Sequence, residues 1–568
     1  MSRLIACLAT GALLALSTQA AVAQEAVTVN GVEAMRVVIA PPETDVAKLI
    51  KAKLSAAYYK LDPANPGYED AQKLYYFYGA RHFEPIWLSR DANGQEAYSL
   101  AALKITGIFK DAAAEGFRPS DYLTPAIDVS AAGNDPTKLA ALETAFSQSV
   151  IRYAHDLYMG RVPPQDVSNA IDPETKHLDA ADVLVKLAQS DDPQAIFATL
   201  EPPEHEFAEL KAALARYDEG QSAPAPVVIP PGPMLKPGMT DPRVALLRQR
   251  LKVPAAVGDP DVYDSDLETA VEAFQAQAGK SVDGLVGPST LAALNGAPAP
   301  KITRDDIIAN MERWRWLPHD LGAFHVMVNI PQFRVAVVDG DREVYSTKVV
   351  VGKPSTPTPI FSNTIRNIVV NPYWNVPASI VAKEIVPHML ANPGYLASQD
   401  MQVVDNGQVI DASAVDWASV TQSNWHYLIR QLPGSYNALG EIKFLFPNPH
   451  DVYLHDTPEK SLFGSSVRAF SHGCVRVQNP MDFANALLED EPGLTVDDLE
   501  AMFGKTERWV TLKTHVPVHI AYFTVRADAD GTLHSYGDIY GQNARLIGLL
   551  NGTAKPAAPT KTPIISGV

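Results

Sequence analysis

The sequence predicts a multidomain protein with a mainly-α N-terminal scaffold, a small three-helix unit and a mainly-β C-terminal domain that carries a capping insertion. Three observations predict it. The chain has 568 residues, room for three to four domains at roughly 150 residues each. Apolar residues recur at spacings of three and four up to about residue 220, then switch to alternation from Ala323 onward. A proline-dense stretch from Pro224 to Pro237 separates the two regimes.

The elements follow in order. Residues 1–23 read as a cleavable signal peptide: Met1-Ser2-Arg3 is basic, Leu4 to Ala23 carries no charge, and Ala21-Val22-Ala23 forms an A-x-A-like cleavage site. The apolar stretch Leu4 to Leu16 is short for a bilayer span, so no stable membrane insertion is expected after cleavage. Residues 24–220 are expected to form a helical scaffold domain, with helical apolar spacing at 68–77, 100–114, 139–158, 180–188 and 207–217. Tyr75, Tyr76, Phe77, Tyr78, Phe83 and Trp87 are expected to pack in its core. Residues 221–239 read as a stiff Pro-rich linker. Residues 240–296 form three helices. Val244, Leu247 and Leu251 line the first, and Ser265-Asp266-Leu267-Glu268 has the form of a capping box opening the second. The glycine-punctuated turn 282–290 leads to the third. Residues 297–322 are a helical connector. From 323 to 538 the chain is mainly β, with Asp339-Gly340 as a hairpin signal. It is interrupted by a loop-rich, partly helical insertion at about 384–425. The tail 552–568, with Pro556, Pro559 and Pro563, is expected to be disordered.

Composition narrows the function. Apolar residues make up 46% and charged residues 20%, which is ordinary for a globular protein and excludes wholesale disorder. Lys plus Arg is 47 against 65 Asp plus Glu, a net −18 that argues against a nucleic-acid partner. The two cysteines, Cys7 and Cys474, exclude a disulfide scaffold and a multi-cysteine metal framework. Cleavage after 23 would leave Cys474 as the only thiol.

Two short segments carry chemistry. His455-Asp456-Thr457-Pro458 directly follows an apolar strand, and Ser471-His472-Gly473-Cys474-Val475-Arg476-Val477 precedes Gln478-Asn479. A catalytic thiol has to become a thiolate and needs a neighbouring base to take its proton. Histidine, with an ordinary pKa near 6.5, is the natural base. Gly473 leaves room for a substrate backbone and for amides that face a developing oxyanion. Asp456, through its carbonyl or its side chain, is placed to hold the imidazole tautomer of His455. A lone cysteine is often buried and inert, but polar, flexible and charged residues surround this one. A zinc site from His455, His472 and Cys474 lacks the usual ligand spacing, so no metal and no cofactor is expected.

These residues resemble the signature of the L,D-transpeptidase family, a His followed at this distance by Ser-His-Gly-Cys; here fifteen residues, 456–470, separate His455 from Ser471. The resemblance runs over about 323–512. The unit around Asp283-Gly284-x-x-Gly287-x-x-Thr290 resembles a small peptidoglycan-binding domain. Arg313-Trp314-Arg315-Trp316, Arg430-Gln431-x-Pro433-Gly434 and Gly440-x-Ile442-Lys443-Phe444 resemble the large L,D-transpeptidases of Gram-negative bacteria. In that group the residue before the glycine is often Ser, whereas here it is His472.

The resemblance implies a periplasmic enzyme acting on peptidoglycan tetrapeptide stems. Cys474 would attack the carbonyl that follows the L-centre of diaminopimelate, release D-Ala and hold a thioester, which an amine of a second stem would resolve into a 3→3 cross-link. It further implies His455 as base and acid, amides near His472, Gly473 and Cys474 as oxyanion hole, His472 as electrostatic support for the thiolate, and acylation of Cys474 by carbapenems. Arg476 is a candidate for a substrate carboxylate, with a structural ion pair as the competing role, and Ser471 and Asn479 are further candidate substrate contacts. Water, a D-amino acid or a lipoprotein lysine would also serve as acceptor. The competing readings are a cell-wall cysteine L,D-carboxypeptidase or endopeptidase, and a non-catalytic wall-binding scaffold. Other cell-wall synthesis proteins are candidate partners.

Overall fold

The computed structural model describes residues 39–556 apart from 64, 66, 91–95, 221–226, 255–258, 279–281, 296–301 and 490, together with the backbone of 26–29 and 32–35. The expected signal peptide and the tail beyond 556 lie outside the described residues. Among the described residues no helix is long and apolar enough to cross a membrane. The chain divides into two compact units. One takes the described parts of Met1–Lys110, Pro119–Tyr153 and Asp179–Ile196; the other takes Asp111–Arg118, Ala154–Leu178 and Phe197–Val568.

The first unit is helical, with Asp45–Tyr58, Tyr68–Gly79, Leu100–Lys110, most of Pro136–Met159, and Ala180–Gln189. Thr44 and Asp179 cap two of these helices with their side-chain oxygens, satisfying amides that have no intrahelical partner. Tyr75, Tyr78, Phe83 and Trp87 are buried with Phe109, Tyr122 and Phe146, while Tyr76 and Phe77 are half-buried. Glu143 is buried among them, accepting from the Tyr78 hydroxyl (2.5 Å) and Ile86 N–H (2.7 Å). Burial pushes this carboxyl up to about 7.

Within the second unit the three-helix domain runs through Arg243–Leu251, Ser265–Ala278 and Pro288–Asn295 around Val244, Leu247, Tyr263, Leu267 and Val271. The capping box expected at Ser265 is displaced by one residue: Asp264 Oδ1 accepts from Leu267 N–H (3.0 Å), so Asp264 is the cap and Ser265 begins the helix. The glycine turn is held by Gln275, whose Oε1 accepts from the Asp283 and Gly284 amides (both 3.0 Å). Gly284 has φ +65°, a conformation that favours glycine. The Pro-rich 221–239 segment is not a free linker over its whole length. Ile229 and Leu235 are buried in this domain, and Ile229 N–H donates to Asn295 Oδ1 (2.9 Å). These two apolar residues outweigh the stiffness of the prolines around them and lay residues 229–235 against the helices.

The helix Arg304–Trp316 follows, opened by a Thr303–Asp306 capping box. All ten residues from Ile307 to Trp316 are buried, so it is a core helix rather than a connector with a wet face. Trp314 stacks on Phe523 (4.6 Å between ring centroids).

The strands that come next are β1 (Phe324–Asn329), β2 (Arg334–Asp339), β3 (Arg342–Gly352), β4 (Phe361–Val370), β5 (Trp374–Val376), β6 (Met401–Asp405), β7 (Gln408–Ile410), β8 (Leu428–Gln431), β9 (Ile442–Leu445), β10 (Leu454–His455), β11 (Ala469–Ser471), β12 (Val475–Val477) and β13 (Arg508–Ala521). Nine of them form one sheet in the order β11-β3-β12-β10-β9-β4-β13-β1-β2, and β2 also pairs with β3. Eight strands therefore close on themselves, which removes most sheet edges.

The remaining four strands, ordered β7-β6-β8-β5, build the cap. Its own core contains Val376, Val381, Ile385, Val403, Trp417 and Ile429. The cap is thus wider than the expected 384–425, because Gln431 pairs with Trp374 and brings both ends of the insertion together. Strands of three to five residues are too short to register as alternation in the sequence.

Candidate active site

The site is built on the register of three short strands. β10 runs parallel to β12, with Leu454 opposite Val475 and His455 opposite Arg476. β9 runs antiparallel to β10, with Lys443 opposite His455. Side chains alternate across a sheet. Leu454, Val475, Val477, Ile442 and Phe444 face the core. Tyr453, His455, Cys474, Arg476 and Lys443 fall on the opposite face. The cap stands over that face, and the two enclose a cleft of about 390 Å³. His455, Ser471, His472, Cys474 and Arg476 line it, with Tyr453 and Asp451 from the barrel and Trp374, Ile380 and Glu384 from the cap.

Cys474 is a free, half-buried cysteine. Its sulfur donates to Asp451 O at 3.7 Å, and no described hydrogen bond joins it to His455. Burial pushes the thiol up to about 11, opposed by the backbone N–H and hydroxyl of Tyr453. His455 is buried and its Nδ1 faces Asp456 O at 2.5 Å. A carbonyl only accepts, so Nδ1 carries the proton and Nε2 the lone pair. Burial, then the nearby Arg476 charge, lowers this imidazole to about 3, against the Asp456 and Leu439 carbonyls. At neutral pH the pair rests as neutral thiol and neutral imidazole. Alkylation of Cys474 by iodoacetamide should therefore follow a titration displaced from the ordinary thiol value near 9 toward about 11. Stopped-flow alkylation against pH measures it, and a plateau already reached near neutrality would contradict the burial argument.

Asp456 acts through its backbone, not its side chain. Its Oδ2 accepts from Glu441 N–H (3.0 Å) and its Oδ1 pairs with Lys460 (2.5 Å). Gly440, at φ +63°, makes room for it: a Cβ there would sit 2.2 Å from Asp456 Oδ2. Gly473, at φ +127°, needs glycine for its backbone angle rather than for space. Its amide is not free for an oxyanion, since it donates to Ser471 Oγ (3.1 Å). Ser471 Oγ donates in turn to Cys474 O (2.6 Å), so this buried serine shapes the loop. The amides of His472 and Cys474 take part in no described hydrogen bond.

His472 is exposed and bridged to the cap. Its Nε2 lies 2.7 Å from Glu384 Oε1 and 3.1 Å from Lys353 Nζ. Glu384 sits in a π-helical turn, Val381–Ile385, of the kind often found at functional sites. Arg476 makes an ion pair with Glu459, whose side chain is 60% exposed, so a substrate carboxylate can exchange for it. Asn479 is not in the cleft. It stands at the N-terminal boundary of the helix Pro480–Leu487, without a side-chain capping bond, and lines a separate groove with Arg334, Lys348 and Phe274, because the chain has left β12 and turned. Among the described residues no group of three or more His, Cys, Asp or Glu side chains converges as a metal site.

Sequence reasoning missed Tyr453 and Lys443. Tyr453 stands two residues before His455 on the same strand face, a spacing that would have flagged it. The ammonium of Lys443 lies over the rings of Tyr453 (5.9 Å) and Trp509 (5.7 Å), and burial lowers its pKa. Its position follows from the β9–β10 register, which no local pattern encodes.

Comparison with known proteins gives matches for three parts of the chain. Residues 323–518 match the L,D-transpeptidase catalytic domain, residues 72–214 a scaffold domain, and residues 240–294 a "Putative peptidoglycan binding domain". A curated protein of Haemophilus influenzae, a "Putative L,D-transpeptidase", is 33% identical over 241 residues, covering 42% of this chain and 48% of that protein. The chain thus spans about half the length of the curated relative it matches. Among solved structures, an L,D-transpeptidase from Xylanimonas cellulosilytica is 18% identical, with 51% of this chain and 99% of that one covered at a TM-score of 0.16. One from Stackebrandtia nassauensis is 13% identical, with coverages of 50% and 94% and a TM-score of 0.22. Residues 323–518 are an L,D-transpeptidase catalytic domain, carried in one chain with a scaffold domain and a peptidoglycan-binding domain.

Proposed function

We propose that the protein is a cysteine acyltransferase that cross-links peptidoglycan stems in the periplasm. The observation that carries this reading is that Cys474 and His455 line one cap-covered cleft, with the imidazole tautomer fixed by the Asp456 carbonyl. The peptidoglycan-binding domain supports the wall as substrate, and the leader-like residues 1–23 support export.

The chemistry follows from the resting protonation state. Substrate binding brings Cys474 and His455 together, as catalytic hydrogen bonds tighten when the site is filled. The thiol proton passes to His455 Nε2, and the sulfur attacks the stem carbonyl. The carbonyl electron pair moves to oxygen and is met by loop amides. Collapse expels D-Ala, whose nitrogen takes the proton from His455, and a thioester remains on Cys474. A diaminopimelate amine of a second stem then attacks the thioester, gives its proton to His455, and the thiol is restored. Burial of the imidazolium raises its acidity, which favours the proton handed to the leaving amine.

The test is incubation of the purified protein with disaccharide-tetrapeptides, read by mass spectrometry. Dimers that lack one D-Ala are expected. Shortened monomers alone would replace cross-linking by L,D-carboxypeptidase activity, and unchanged substrate would leave the wall-binding scaffold.

A further inference from the structure

The loop that carries Cys474 is held from outside the matched catalytic domain. Thr358 is fully buried; its Oγ1 accepts from Gly352 N–H (2.8 Å) and donates to Gly473 O (2.7 Å). Tyr540 lies beyond the 323–518 match. Its hydroxyl donates to Gly352 O (2.6 Å) and accepts from Thr358 N–H (3.2 Å). Tyr540 is itself fixed. Its ring stacks on Tyr522 (5.6 Å), and its N–H donates to the Tyr522 hydroxyl (2.8 Å), which donates to Asp538 Oδ1 (2.8 Å). There is no slack at Gly352, where a Cβ would lie 2.3 Å from Thr356 O and 2.6 Å from Thr358 N.

Peptide geometry turns this anchoring into chemistry. The described peptide bonds are all trans, so the Cys474 N–H points opposite to the Gly473 carbonyl. Pinning that carbonyl to Thr358 pins the direction of the Cys474 N–H. On the other side Ser471 Oγ takes the Gly473 N–H and holds the Cys474 carbonyl. Both flanking carbonyls and the preceding amide are engaged, and the Cys474 N–H takes part in no described hydrogen bond. An uncommitted donor with a fixed direction beside a nucleophile is what a developing oxyanion needs.

We propose that Thr358, held by Tyr540, is a positioning residue that aims the Cys474 N–H as oxyanion donor. The inference rests on the reading of Cys474 as the nucleophile in acyl transfer. In that step sulfur bonds to the carbonyl carbon, the π pair moves to oxygen and meets the N–H, and re-formation of the C=O expels the leaving group with the proton held by His455. Without the Thr358 bond the peptide plane is free to turn, and the donor leaves the oxyanion.

The test compares two reactions of the same thiol in the full-length protein. Acylation by p-nitrophenyl acetate develops an oxyanion. Alkylation by iodoacetamide displaces iodide at a saturated carbon and develops none. Thr358→Val is expected to slow acylation by roughly 10²-fold while alkylation keeps the wild-type rate. Thr358→Ser, which retains the hydroxyl, restores acylation. Tyr540→Phe, a milder change that deletes one hydroxyl, slows acylation in the same selective way by a smaller factor. The inference is overturned if acylation is unaffected in Thr358→Val and Tyr540→Phe, or if acylation and alkylation fall together. A wild-type Cys474 that alkylates but never acylates would overturn the nucleophile assignment itself, and this inference with it.

Discussion

Cys474→Ala is expected to lower acyl transfer from disaccharide-tetrapeptides by roughly 10⁴-fold or more. The sulfur is the group in the cleft placed to hold the acyl chain. His455, Tyr453, Lys443 and Arg476 surround it, but His455 is needed as base, and burial pushes the Tyr453 hydroxyl well above its ordinary range, away from a nucleophilic phenolate. The fold should survive. Cys474 is half-buried, precedes β12, and its sulfur's contact to Asp451 O is long at 3.7 Å. Circular dichroism and the thermal midpoint should match wild type while mass spectrometry finds neither dimer nor shortened monomer. Turnover at the wild-type rate would remove the thiol from the mechanism.

His455→Gln should cost about 10²- to 10⁴-fold in kcat/KM near neutral pH, and the loss should shrink as pH rises. The sign comes from the resting state. The thiol is pushed up to about 11, so below that value thiolate is scarce and a base is required at the moment of attack. Once the base is gone, the rate depends on thiolate formed by the solvent, which grows about tenfold per pH unit below the thiol value. Wild type should show no such slope between pH 7 and 9, because its imidazole, lowered to about 3, is unprotonated throughout. A pH–rate profile of both proteins decides it; parallel profiles would mean that His455 does not take the thiol proton.

Cys474 and His455 were legible as candidates because both belong to one short signature whose residue types leave few structural uses. Their environment was not. His455 meets Arg476 across a parallel pairing of strands two and three residues long, and strands that short show no periodicity. Glu384 comes from an insertion that read as loop-rich and only partly helical because apolar residues such as Ile380, Val381, Ile385 and Met389 follow a π-turn and then an α-turn rather than one period. Asp456 illustrates a different limit. Its position beside His455 was visible, but whether the carbonyl or the carboxylate did the holding depended on where Gly440 and Lys460 stood. Asn479 was misplaced by extending the motif two residues past the end of β12, where the chain had already turned into a helix. The helical halves were easier, since caps and three-four spacing are local, and even there the cap of the second small helix moved by one residue.

The helix Arg304–Trp316 separates the bounds of the catalytic-domain match from what can stand alone. The catalytic-domain match spans residues 323–518, yet Trp314 before that stretch and Phe523 after it lie against each other inside the same core as Val326 and Ile520. A fragment excised at the shared bounds would lose both rings and present water with a bare apolar floor, at about 25 cal/mol for each Å² uncovered. A module cut at the bounds of that match must carry its flanks along, because the segments on either side supply part of its core.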